Sequence, residues 1–189
     1  MDPTFLAAKF AAAQGYDPYA HSGTEEQARR WQQAYDAAAL TEPQRQLVHG
    51  FTRRMRVLVV SGIWCGDCVH GVPLMQRIAE ANPDRVALRI VDRDQHKDLS
   101  DTLRINGGVR VPVALFLSED FQLCATYGER TLSRYRAIAQ RQLGAACDTG
   151  LVLPAAAETA AALQDWLNEF ERVHLMLRLS PRLRQLHGD

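Results

Sequence analysis

Apolar and polar positions alternate with different periods along the chain, and the change falls near residue 56. Before it, the signals are those of helices. Phe5, Leu6 and Phe10 lie among alanines over residues 4–14, with Gly15 as the stop. Residues 16–23 read as a loop. Thr24-Glu25-Glu26-Gln27 and Thr41-Glu42-Pro43-Gln44 are two capping boxes, predicting helices to about Leu40 and about Arg54. From Arg56 the pattern is that of an α/β fold. Val57–Val60 is a β-branched run fit for a strand buried on both faces. A helix is predicted to about Ala81, with Leu74, Met75 and Ile78 inward. Val86–Val91 forms a second strand, Leu99–Leu103 a short helix and Asn106-Gly107-Gly108 a turn. Val111–Leu117 and Gln122–Tyr127 form a hairpin about Ser118-Glu119-Asp120. Thr131 starts a helix that ends near Leu143.

Strand, helix, strand, helix, hairpin and helix make a mixed sheet flanked by helices. Beyond a loop through Asp148-Thr149-Gly150, a long helix is predicted from about Ala155 to Leu177. Its stripe of Leu163, Trp166, Leu167, Phe170, Val173 and Leu177 is expected as core, with a dimer through this C-terminal helix as the alternative. Pro181 ends the helix, and Arg182, Leu183, Arg184 and Leu186 form a short basic tail. The expected organisation is a helical N-terminal extension (1–55), an α/β domain (56–144) and a C-terminal amphipathic helix with its tail (145–189), packed on the domain.

Composition narrows the function. The 189 residues are 47% apolar, enough for an ordinary core. Lys and Arg total 22 and Asp and Glu total 22, so there is no basic excess to suggest nucleic acid. The start, Met1-Asp2-Pro3-Thr4, has no basic, apolar leader, and no run is long enough to span a bilayer, so a cytoplasmic protein without a membrane partner is expected. The 4 cysteines are too few for a disulfide scaffold.

Cys65 and Cys68, in Trp64-Cys65-Gly66-Asp67-Cys68, carry the candidate chemistry. A C-x-x-C between a buried strand and a helix puts the first sulfur near free amides and the positive helix end, which favour its thiolate. The second sulfur follows on the same turn, within bonding distance. Thiolate attack, a mixed disulfide and resolution by the second thiol then become available, with Cys65 as nucleophile and Cys68 as resolving thiol. The alternative is half of a zinc site. Zinc wants four ligands, whereas Cys124 and Cys147 are single and no His pair has ligand spacing, so no metal is expected. Cys124 reads as a small strand residue and Cys147 as a loop residue. His70 reads as a solvated helix residue.

At these residues the chain resembles the thioredoxin family. Trp64–Cys68 is similar to that family's W-C-G-x-C signature, and Pro73 falls where the family has its helix-kinking proline. Val111-Pro112 is similar to the family's cis-proline loop, which lies against the cysteines and offers backbone groups to a substrate. Gly128 also fits. The resemblance covers about residues 56–143. It implies a thioredoxin-like fold and a thiol–disulfide oxidoreductase acting on a protein or small-molecule disulfide. Recycling would come from a reductase or a small thiol, with no cofactor beyond a redox-active Cys65–Cys68 disulfide. Trp64, Gly66, Asp67, Val111 and Pro112 would contact substrate; for Trp64, packing of the loop is an equal alternative.

The chain departs from the family in three places. Val59 stands where a buried Asp is usual, the stretch before Pro112 is long, and a helical segment replaces the usual first strand. These point to a specialised member. Asp67 stands in place of the common proline, and its charge is expected to raise the pKa of Cys65. The potential would then lie nearer thioredoxin's value of about −270 mV than the roughly −120 mV of a strong oxidant. A charged His70 would act in the opposite sense. Arg89 and Asp92 read as a solvated strand residue and a turn residue. The competing reading is a non-catalytic interaction module that docks through its helical ends.

Overall fold

The structure is a computed structural model that describes residues 1–142 and 154–189. The N-terminal region is α1 (Pro3–Ala12), α2 (Tyr16–Ala20), α3 (Glu25–Ala37) and α4 (Glu42–His49). Asp2 caps α1 by accepting from the amides of Thr4 and Phe5 at 2.8 and 3.2 Å. The helix stops at Ala12 because Gln14 exchanges two backbone hydrogen bonds with Ile90, at 2.9 and 2.8 Å. Gly15 is therefore the N-cap of α2, in the stretch expected as loop, rather than the stop of α1. Both capping boxes form, at Thr24 and Thr41. The fourth helix ends short of Arg54. The side-chain amide of Asn82 collects the carbonyls of Val48, His49 and Phe51 at 2.9–3.3 Å, satisfying acceptors that further helix would have used.

The sheet is built from β1 (Met55–Ser61), β2 (Val86–Asp92), β5 (Val113–Ser118) and β6 (Leu123–Gly128), in the order β2-β1-β5-β6. The first strand runs parallel to β2 and antiparallel to β5, and Val57 and Val59 are fully buried between them. Every residue of β5 is buried, and its Val, Leu and Phe side chains each contribute about 1.5–3 kcal/mol. After β1 comes α5 (Gly66–Glu80), and after β2 the single turn α6 (Lys97–Ser100), shorter than expected. Asn106 and Gly107, with φ of 48° and 74°, close a small hairpin of β3 (Arg104–Ile105) and β4 (Gly108–Val109) that the sequence shows only as a turn.

The remaining helices are α7 (Leu132–Gln142), α8 (Ala156–Leu179) and α9 (Pro181–His187). The expected end of α7 near Leu143, the loop at Asp148-Thr149-Gly150 and Cys147 lie outside the described residues. All six stripe residues of α8 are buried inside this chain, with Trp166 edge-on to Tyr127 and Phe170 edge-on to Phe116. The basic tail is itself helical, capped by Ser180. It docks through buried Leu183 and through pairs of Arg182 with Asp120 and His187 with Glu119.

Candidate active site

Cys65 is the N-cap of α5, with φ −83° and ψ 123°, and its amide donates to the Gly62 carbonyl at 3.0 Å. The turn is held from the N-terminal region, where buried Trp31 of α3 donates its indole N–H to the Ile63 carbonyl at 3.0 Å. A side chain at Gly62 would meet the Trp64 ring at 2.9 Å, so anything larger than glycine there would displace the indole. Trp64 itself is 48% exposed, and the Arg93 guanidinium lies 4.7 Å from its ring centre.

The two sulfurs occupy opposite environments. Cys65 is half-buried, whereas Cys68 is fully buried and accepts from the Gly62 amide at 3.4 Å. Both thiols are free. The thiol of Cys65 is brought from 9.0 down to about 7, first by the Cys68 thiol donating to it and then by the Cys68 and Asp67 amides, against burial and the Asp67 charge. Burial and that same hydrogen bond push Cys68 well above its usual value. The expected effect of Asp67 thus has the right sign, but it is outweighed: Cys65 is more acidic than an ordinary thiol, because hydrogen bonds to the sulfur exceed one half-buried carboxylate.

The hairpin of β5 and β6 brings the opposing wall. The Val111–Pro112 and Gly128–Glu129 peptide bonds are cis, and the Cys65 thiol donates to the Val111 carbonyl at 3.6 Å. A Cβ at Gly128 would sit 2.4 Å from the Pro112 carbonyl, so only glycine permits this approach. A Cβ at Gly71 of α5 would lie 3.5 Å from the Pro112 ring and 3.7 Å from the Trp166 indole nitrogen, so this glycine sits against both. Cys65, Gly66, Asp67, Cys68, Val111 and Pro112 therefore converge at one end of the sheet, with Trp64 at the rim. Arg89 is exposed on β2, and the Asp92 carboxylate binds the amides of Asp94 and Gln95, so both keep structural positions.

The sequence reading missed a charge network. Arg130 donates to Asp67 at 2.7 Å, and Arg134 approaches its other oxygen at 3.8 Å. Arg134 also binds Glu158 of α8 at 2.5 Å, and Arg141 binds the same carboxylate at 2.7 Å. A cavity of about 300 Å³ lies against this side of α5, walled by Asp67, His70, Gly71, Arg134, Thr159 and Trp166. His70 is thus half-buried on a cavity wall rather than solvated. The i, i+4 spacing of Arg130 and Arg134 was a weak signal; nothing local joins either to Asp67, more than 60 residues earlier. Cys124 is half-buried in β6. Among the described residues, no group of three His, Cys, Asp or Glu is placed to hold a metal ion, and no helix is long and apolar enough to cross a membrane.

A mixed sheet flanked by helices, with a dithiol at the start of α5 and the Val111–Pro112 turn beside it, defines a thioredoxin-like protein. The thioredoxin family model matches residues 14–140, and the chain belongs to that family. The match begins within the helical N-terminal segment. Protein disulfide isomerase-like 2-2 of Oryza sativa subsp. japonica is 28% identical over 110 residues, which span 57% of this chain but only 29% of that protein. A protein of unknown function from Pseudomonas aeruginosa superposes with a TM-score of 0.70 at 18% identity, covering 88% of this chain and 95% of its own. An HIV epitope-scaffold gives 0.60 at 18% identity, covering 97% and 98%. At this identity the two structures establish the fold alone.

Proposed function

We propose that the protein is a thiol–disulfide oxidoreductase that reduces protein or small-molecule disulfides through Cys65 and Cys68. The carrying observation is an N-cap thiol held at about 7 beside a buried thiol held high. At neutral pH a large share of Cys65 is thiolate, while Cys68 keeps its proton. The Cys65 thiolate attacks one sulfur of the substrate disulfide, breaking the S–S bond and releasing one substrate thiolate, which takes up a proton. The mixed disulfide removes the hydrogen bond that Cys68 made to Cys65. Cys68 then gives up its proton and attacks Cys65 Sγ, forming Cys65–Cys68 and releasing the second substrate thiol. Two electrons and two protons pass to the substrate, and a dithiol reductase or two equivalents of a small thiol restore the pair. Trp64, Gly66, Asp67, Val111 and Pro112 form the contact surface, with backbone groups of the Val111–Pro112 turn available to an extended substrate.

Insulin-disulfide reduction with dithiothreitol as the electron source tests this. The wild type should accelerate the reaction, and Cys65→Ser should fall to the uncatalysed rate while still unfolding cooperatively. Cys68→Ser should accumulate a mixed disulfide at Cys65. A Cys65→Ser protein as active as wild type rejects the proposal.

A further inference from the structure

Asp67 places a carboxylate two residues after Cys65, on the same helical turn, where a thiolate must form. A bare carboxylate there makes the thiolate costlier. This one is not bare. Its side chain is 17% exposed, and Arg130, arriving on the chain just beyond Gly128, donates to it at 2.7 Å. Arg134 is a poorer partner for Asp67, being 3.8 Å away and committed to Glu158 at 2.5 Å. Glu129 is the second anion near Arg130, at 3.5 Å, but it also holds the Tyr135 hydroxyl at 3.0 Å and Arg110 at 3.7 Å.

We infer that Arg130 is a positioning residue for the Cys65 thiolate: by pairing with Asp67 it cancels the charge that would otherwise oppose ionisation of the attacking sulfur. The role of Cys65 as nucleophile comes from the proposed function. The effect of Arg130 on ionisation can be read without any substrate.

The surroundings leave this job to Arg130. On α5, Cys65 faces Cys68 and Asp67, with His70 one turn beyond. From α2 comes Tyr19, whose burial pushes its hydroxyl up and keeps it neutral. Near the end of β2, Asp92 is tied to backbone amides and Arg93 lies over the Trp64 ring. From α7 and α8 come Arg134, Tyr135 and Glu158, all paired with one another or with Glu129. Among the described residues, removing Arg130 therefore leaves Asp67 the Arg134 guanidinium as its cation, at 3.8 Å.

The test is a pH titration of thiolate absorbance in the reduced protein, with Cys65→Ser subtracted to isolate Cys65. Arg130→Met should raise the Cys65 midpoint by about half a unit to one unit, a roughly threefold to tenfold drop in its ionisation constant. Arg130→Lys should keep the midpoint near that of wild type. Asp67→Asn should lower it, and in that background Arg130→Met should change little. The reduction potential should follow: more negative in Arg130→Met, where the reduced form loses thiolate stabilisation, and less negative in Asp67→Asn. An unchanged midpoint in a folded Arg130→Met overturns the inference. So does a shift of equal size with and without Asp67, which would mark Arg130 as a general field. Inactivity of the wild type toward disulfides would instead count against the proposed function, leaving the titration result readable.

Discussion

The N-cap of α5 and the inner face of α8 each hold a titratable group, one half-buried and one buried, whose pKa is lowered, and the consequences are opposite. At Cys65 the lowering favours the charged form, because the Cys68 thiol and helix amides donate to the sulfur. At His174 it favours the neutral form, because burial penalises the imidazolium, with Arg178 and Arg53 adding to the penalty. The neutral ring is used structurally: its Nε2 accepts from the Thr52 amide at 3.0 Å, and its face stacks on Phe51 at 4.3 Å. Donors aimed at a sulfur prepare an ionisation, whereas packing without compensating charge forbids one. The helix that carries chemistry and the helix that carries the core are separated by that arrangement, not by depth.

Emptying the α8 face should do the most damage. Trp166→Ala removes a ring that is 1% exposed and packed on Tyr127, and should cost about 3–5 kcal/mol in urea unfolding. A loss under about 1 kcal/mol would deny α8 its place in the core. A smaller effect comes from Cys65. Its folded value of about 7 lies below its ordinary 9.0, so ionisation stabilises the reduced fold as pH rises from about 7 to about 9. That contribution, about 2 kcal/mol, is present at the upper end and lost as pH falls through 7; it should be absent in Cys65→Ser. The smallest effect sharpens the opposite side. With His174 lowered from 6.5, the unfolded chain takes up its proton first, so stability should fall as pH drops below about 6.5, and His174→Gln should flatten that slope. A wild type that gained stability below 6.5 through this residue would reverse the assignment.

Much of this was legible in the chain. The α8 stripe is legible residue by residue, because six large apolar groups at helical spacing mark one buried face; that the face is covered within this chain, and not by a second copy, is seen only in the fold. Both capping boxes were legible because their partners lie three residues apart. The Cys65–Cys68 pair and Pro112 were legible as a pattern. Three things were not. The end of α4 depends on Asn82, more than 30 residues away. The acidity of Cys65 depends on hydrogen bonds that sum differently from the charge of Asp67 alone. The Arg130–Asp67 and Arg134–Glu158 pairs join three elements distant in sequence, and no local spacing reports such contacts. Local physics is readable locally; the electrostatics of the site is made by the fold.

Everything proposed for this site requires Cys65 to be the acidic, reachable sulfur of the pair. The most direct test is the pH dependence of iodoacetamide alkylation in the reduced protein, with the modified residue assigned by mass spectrometry. Cys65 should react first, with a rate midpoint at about 7, while Cys68 stays unmodified in the folded state. A Cys65 midpoint at or above about 9, the value of an ordinary thiol, or earlier labelling of Cys68, would contradict it.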